Sequence, residues 1–295
     1  MTRRSLFAAP LLLHAQDPVL RVDVKLIRIL ASVRDQNGQL FGGLGKEDFQ
    51  IFDNGTEQEV SIFERSTTQA LNVIVMLDIS ASVAKDLKYE TESAIRFARS
   101  LFKEGNPDDT LALITFNHNV DIIASFTRRI QRLENAVRDI KTGAGTSLYD
   151  ALFLASEELE GREGRKVIIC VSDGGDTASY KKFNAANIAV QRAQAAVYPI
   201  LVTPITNDAG RNTGGENALQ LIAERSGGRV LQPPSYEKLG LAFDEILRDL
   251  RTQYFLAYYP KTQSVKGNPF HRLEVKVRRP NLRVSARTGY YEETL

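Results

Sequence analysis

At 295 residues the chain is longer than most single domains, and its 43% apolar content is enough for two cores. Its 38 basic and 36 acidic residues nearly cancel, to a formal +2, which argues against a polycationic surface recruited to nucleic acid or anionic lipid. One cysteine, Cys170, rules out an intramolecular disulfide and reads as a small buried hydrophobe, and no stretch reaches the roughly 18 consecutive apolar residues of a membrane-spanning helix.

In chain order, the first 16 residues join a basic start (Arg3, Arg4) to a short apolar run ending near Ala15, which predicts a signal peptide over residues 1–15 and a secreted or periplasmic protein. The paired arginines before Ser5-Leu6-Phe7 also resemble a twin-arginine signal, so both the Sec and twin-arginine routes stay open. Residues 17–67 read as β structure. Leu20, Val22, Val24 and Leu26 alternate with polar residues, Asn37-Gly38 and Asn54-Gly55 are turn signals, and Phe49, Ile51, Val60 and Ile62 alternate around the second turn. So short a β segment needs a partner layer to bury its apolar face.

Residues 68–251 alternate strand and helix patterns. Strands are predicted at 71–78, 110–116, 119–125, 166–172, 197–203 and 228–231, and helical spacing appears in Leu87–Phe102, Leu148–Leu159 and Leu239–Leu250. Strands such as Val73-Ile-Val-Met-Leu77 are apolar throughout, as in a parallel sheet covered on both faces. The expected fold is a doubly wound, mainly parallel α/β sheet with residues 119–125 as one antiparallel edge strand. Residues 252–295 return to β, with Gln253–Pro260 aromatic and Leu273, Val275, Val277, Leu282, Val284 and Ala286 alternating. Pairing of these strands with residues 17–67 would make one β-sandwich with the α/β domain inserted in it. Pro204–Gly215 is a long polar loop that would rim the carboxyl end of the sheet.

The chemistry concentrates where strand Leu71–Leu77 ends in Asp78-Ile-Ser80-Ala-Ser82. Hard divalent cations take oxygen ligands, and neutral serine hydroxyls hold such an ion without cancelling its charge, leaving a position for an oxygen from outside. Thr146 follows a glycine-rich turn at a helix start, and Asp173 follows the apolar strand Val167–Ser172. In an open α/β sheet, loops at the carboxyl ends of strands converge, so Asp78, Ser80, Ser82, Thr146 and Asp173 are candidate ligands of one ion. Asp150, one helical turn after Thr146, reads either as a buttress for the loop or as an exposed helix acid. The acid Asp86 reads as a helix-start charge.

This set resembles the metal-ion-dependent adhesion site of von Willebrand factor A domains, where Asp-x-Ser-x-Ser, a threonine and a second aspartate hold magnesium and a ligand carboxylate completes the shell. The resemblance implies Mg2+, with Mn2+ or Ca2+ as alternatives, and a protein partner presenting Asp or Glu. The whole chain also resembles secreted bacterial von Willebrand factor A-related proteins typical of acidobacteria, through Val33–Gly38, Leu44–Gly55, the Asp78 loop, Gln253–Pro260 and Gly289–Tyr291. An adhesion or protein-binding module is therefore expected. A metal-dependent hydrolase and a structural envelope component are the contrasting readings. Catalysis lacks support, because Gly-x-Ser-x-Gly and P-loop motifs are absent, His118 and His271 are isolated, and His14 lies in the leader.

Overall fold

The computed structural model describes residues 26–65, 68–81, 83, 85–202, 213–261 and 269–292, so the expected leader falls outside them. The described residues begin with strands β1 (Ile27–Arg34), β2 (Phe49–Asp53), β3 (Thr56–Gln58) and β4 (Ile62–Glu64). Asn54 and Gly55 form the two-residue turn between β2 and β3, with φ of 48° and 81°. A tight hairpin needs positive φ at both positions, which Asn and Gly tolerate best.

The α/β unit follows, as β5 (Leu71–Asp78), α1 (Leu87–Glu104), β6 (Thr110–Phe116), β7 (Val120–Thr127), α2 (Ile130–Arg138), α3 (Leu148–Leu159), β8 (Arg165–Ser172), α4 (Phe183–Ala193), β9 (Ala196–Leu201), α5 (Thr213–Ser226) and α6 (Leu239–Arg251). Its sheet runs β7-β6-β5-β8-β9, parallel except for β7, which pairs antiparallel with β6 as the edge strand. Every residue of β5 is buried. Val73, Val75 and Leu77 pack with α1 and α6 on one face, while Ile74 and Met76 pack with α3, α4 and α5 on the other. The alternate direction of side chains along a strand, covered on both sides, is why the sequence here is apolar without a break.

Residues 228–231 do not form the expected sixth strand. Leu231 makes a single parallel bridge to Ile200. A Cβ on Gly228 would lie 1.9 Å from the Val197 carbonyl oxygen, so the chain crosses β9 closely here, and the following Pro233-Pro234 pair cannot donate to a continuing ladder. The polar loop expected to run to Gly215 gives way to α5 at Thr213, and residues 203–212 lie outside the described set.

The described residues end with β10 (Tyr254–Tyr258), β11 (Phe270–Val277), β12 (Arg283–Ala286) and β13 (Gly289–Tyr291). Two four-stranded antiparallel sheets, β12-β1-β10-β4 and β13-β11-β2-β3, are each built from both ends of the chain and share one apolar cluster that includes Ile29, Ile51, Tyr254, Leu256 and Leu273. A polar tie crosses that core. Asp53, fully buried, accepts hydrogen bonds from the hydroxyls of Tyr258 (2.7 Å) and Tyr290 (2.9 Å) and lies 2.8 Å from Nδ1 of His271.

Candidate functional site

The carboxyl ends of β5 and β8 lie side by side in the parallel sheet, so their following loops start from adjacent positions. Ser80 and Gly143 form a parallel bridge, and the Gly143 amide donates to the Ile79 carbonyl at 3.0 Å, which draws the turn before α3 onto the Asp78 loop. Gly145 supplies that turn with φ of +76°, packed where a Cβ would lie 3.3 Å from His118 Cβ. Ser172, the last residue of β8, donates its hydroxyl to Asp78 Oδ2 at 2.8 Å, and the Ser80 amide donates to Asp78 Oδ1 at 2.9 Å. Asp78, Ser80 and Thr146 are buried and Asp173 is partly buried. Ser82 lies outside the described residues.

The loop after β8 is held in place from α3. Thr146 donates its amide to Thr177 Oγ1 (3.0 Å) and accepts at its carbonyl from the Thr177 amide (2.8 Å). Asp173 Oδ1 accepts from the Gly175 amide at 3.0 Å. Asp150 accepts from the amides of Tyr180 (2.9 Å) and Lys181 (2.7 Å), so it braces the far end of the same loop. Asp86 is the residue immediately before α1, and its side chain makes no capping hydrogen bond to that helix.

One member of this region was not among the sequence candidates. Glu90, in the first turn of α1, is fully buried, and neither carboxyl oxygen has a hydrogen-bond partner. Burial pushes its pKa well above the ordinary carboxylate range, and the charges of Asp78, Asp86 and Asp173 push it further. Asp78 is also raised, chiefly by burial and in smaller part by Asp173, against the lowering effect of its bonds to Ser80 and Ser172. The Tyr236 hydroxyl is pushed up by burial and then by Glu90, Asp86, Asp173 and Asp78, so these four acids bear on one small region. The signal for Glu90 was present in the sequence as an acid at helical spacing with Ala94, Phe97 and Leu101, on the face of α1 that enters the core.

Among the described residues, no three His, Cys, Asp or Glu side chains are grouped to hold a metal by themselves. A site here would rest instead on mixed donors, the carboxylates of Asp78 and Asp173 and the hydroxyls of Ser80 and Thr146. That chemistry fits a hard divalent cation, which prefers oxygen, and not a zinc cluster.

Residues 73–175 match the family model described as the von Willebrand factor type A domain. Solved structures with a similar fold include the vWF domain of the type V pili tip protein Mfa5 from Porphyromonas gingivalis, at 16% identity, covering 62% of this chain and 95% of that one, with a TM-score of 0.52. The PilB minor pilin from Streptococcus sanguinis, in a D319A mutant form, is similar at 12% identity and a TM-score of 0.52, covering 63% of this chain and 62% of its own. Proximal thread matrix protein 1 from the mussel byssus is similar at 14% identity and a TM-score of 0.52, covering 77% of this chain but half (50%) of its own. No curated protein sequence is significantly similar to the chain. The central α/β unit is thus similar to von Willebrand factor type A domains, in sequence over residues 73–175 and in fold.

Proposed function

We propose that the chain is a magnesium-dependent protein-binding or adhesion module of the secreted or periplasmic space, which grips an Asp or Glu carboxylate of a protein partner and catalyses no reaction. The observation that carries this reading is the joining of three loops at one end of the sheet, by the Ser80–Gly143 bridge and the Ser172–Asp78 hydrogen bond. Asp78, Ser80, Ser82, Thr146 and Asp173 would hold the cation. When bound, Mg2+ (or Mn2+ or Ca2+) supplies a hard Lewis-acidic centre with a position open to an oxygen from outside. The protein's part is to fix the donors: Ser172 and the Ser80 amide orient both oxygens of Asp78, and Asp150 braces the loop that carries Asp173. Hydroxyl donors add no negative charge beyond the two carboxylates, which leaves the open position to an oxygen ligand such as a partner's carboxylate.

Similarity to a pilus tip protein and a minor pilin agrees with an adhesive role outside the cytoplasm. The test is capture of protein ligands from an envelope extract on the immobilised protein, run in magnesium and in chelator, with Asp78→Ala as control. Partners retained in magnesium and lost both in chelator and on the variant support the reading. Partners retained equally in all three conditions refute it and favour a purely structural envelope component.

A further inference from the structure

At the opposite end of the α/β sheet from the candidate cation site, where β8 begins at Arg165, a cavity of about 280 Å3 lies in the seam between the sandwich and the α/β unit. Its walls come from β1, β10 and the segment after β12 on one side, and from the turn before β8 and the ends of α4 and α5 on the other. Six cationic side chains line it, Arg28, Arg162, Arg165, Lys166, Arg192 and Arg287, against two acids, Glu160 and Glu163.

One of these cations, Arg165, is inside the protein, and a second, Arg287, is partly buried. Arg165 is 6% exposed; it donates from Nε to the Gln69 carbonyl at 3.1 Å and from Nη1 to the Leu250 carbonyl. Arg287 donates from Nη2 to the Arg28 carbonyl at 2.6 Å and lies over the Tyr290 ring, while its Nε and Nη1 are out of reach of solvent and have no hydrogen-bond partner. Neither forms an ion pair among the described residues; their direct partners are carbonyls and a ring face, and Asp109 offsets the Arg165 charge from a distance. Buried charges are normally paired, because an uncompensated one is costly to remove from water. Burial accordingly pulls both guanidinium groups down to about 10.

We propose that this seam cavity is a binding site for a small oxyanion of the phosphate class, either free phosphate or pyrophosphate or the phosphate group of a small monoester. Guanidinium is the side chain best matched to such a group, since its planar fork donates two parallel hydrogen bonds to neighbouring oxygens. The cavity is at the small end of the range for ligand pockets, roughly 300–1,000 Å3, which suits an inorganic anion or a small ester better than a large organic ligand. An anion seated here would touch both structural units, so it would stiffen the junction between the sandwich and the inserted α/β fold.

The experiment is calorimetric titration with inorganic phosphate, pyrophosphate and glycerol phosphate, in chelator and at ionic strength matched with sodium chloride, alongside thermal unfolding. Chelator makes the outcome independent of the cation site, so failure here and failure of the adhesion reading are distinguishable. Saturable binding of at least one of the three, with a rise in melting temperature beyond the chloride control, is expected. Arg287→Gln should weaken it roughly tenfold or more, equivalent to about 1.4 kcal/mol. The rim variant Arg192→Ser, at an exposed position, should weaken it less and keep the fold even if Arg287→Gln does not. Free phosphate binding more tightly than the ester identifies an inorganic ligand, and the reverse order identifies a phosphomonoester. No saturable binding of any probe to the folded wild-type protein, or binding unchanged in Arg192→Ser and in folded Arg287→Gln, overturns the proposal.

Discussion

At the scale of single residues, Glu90 and Asp78 set the electrostatics of the candidate site. Both carboxyls are raised in the folded protein, principally by burial, so each holds its proton more tightly folded than unfolded. The corresponding stability is full below the ordinary carboxylate range and is lost as pH rises through the raised values. Metal-free protein should therefore melt at progressively lower temperature as pH climbs from the ordinary carboxylate range toward neutrality, in chelator and at constant ionic strength. Glu90→Met should flatten this dependence and stabilise the metal-free protein at neutral pH by on the order of 1–3 kcal/mol, because it removes a buried polar group with no partner. A variant less stable than wild type in chelator, with an unaltered pH slope, would contradict this account of Glu90. Asp78, Ser80 and Asp173 were candidates in the sequence because they stand where apolar strands end, and Thr146 because it follows a glycine-rich turn at a helix start. Glu90 was not singled out, because an acid in a first helical turn ordinarily reads as a favourable charge at the helix N-terminus.

At the scale of elements, the loop after β8 is shaped by hydrogen bonds that no short motif encodes. Asp150 links α3 to the amides of Tyr180 and Lys181, about thirty residues along the chain. Asp150→Ala should cost roughly 1–2 kcal/mol of stability, as loss of a capping carboxylate does, and should weaken cation binding by loosening the loop that carries Asp173. Asp150→Asn, which keeps one acceptor, should fall between wild type and alanine. Equal cation affinity in all three proteins would show that the brace and the site are independent. Among the elements themselves, β5 and β8 were evident from unbroken apolar runs, and α1, α3 and α6 from their spacing. The short helix α2 and the small-residue face of α4, with Ala186, Val190 and Ala193, carry less apolar bulk and signalled weakly. The strand expected at 228–231 failed for a tertiary reason, the close approach of Gly228 to β9, which no local pattern reports.

At the scale of the molecule, the two ends of the chain build the sandwich together, and the α/β unit lies between them in sequence. The alternation around Asn54-Gly55 and in residues 252–295 made two half-sheets visible, and the need to cover their apolar faces made their pairing the natural arrangement; the alternation expected over Leu20, Val22 and Val24 lies outside the described residues. The Asp53–Tyr258–Tyr290–His271 tie was beyond sequence reasoning, since its members are separated by up to 237 positions and each looks ordinary alone. The same architecture sets the candidate cation site at one end of the sheet and the basic seam at the other, so the two can be tested separately. The adhesion account stands or falls on the first. Its most direct measurement is calorimetric titration of the purified protein with magnesium, beside Asp78→Ala and Thr146→Ala. The account predicts saturable binding at or below about millimolar magnesium in the wild type, abolished by Asp78→Ala and weakened roughly tenfold or more by Thr146→Ala, in variants that remain folded. Wild-type protein that binds no divalent cation at that concentration, or an Asp78→Ala variant that binds as well as the wild type, would contradict it.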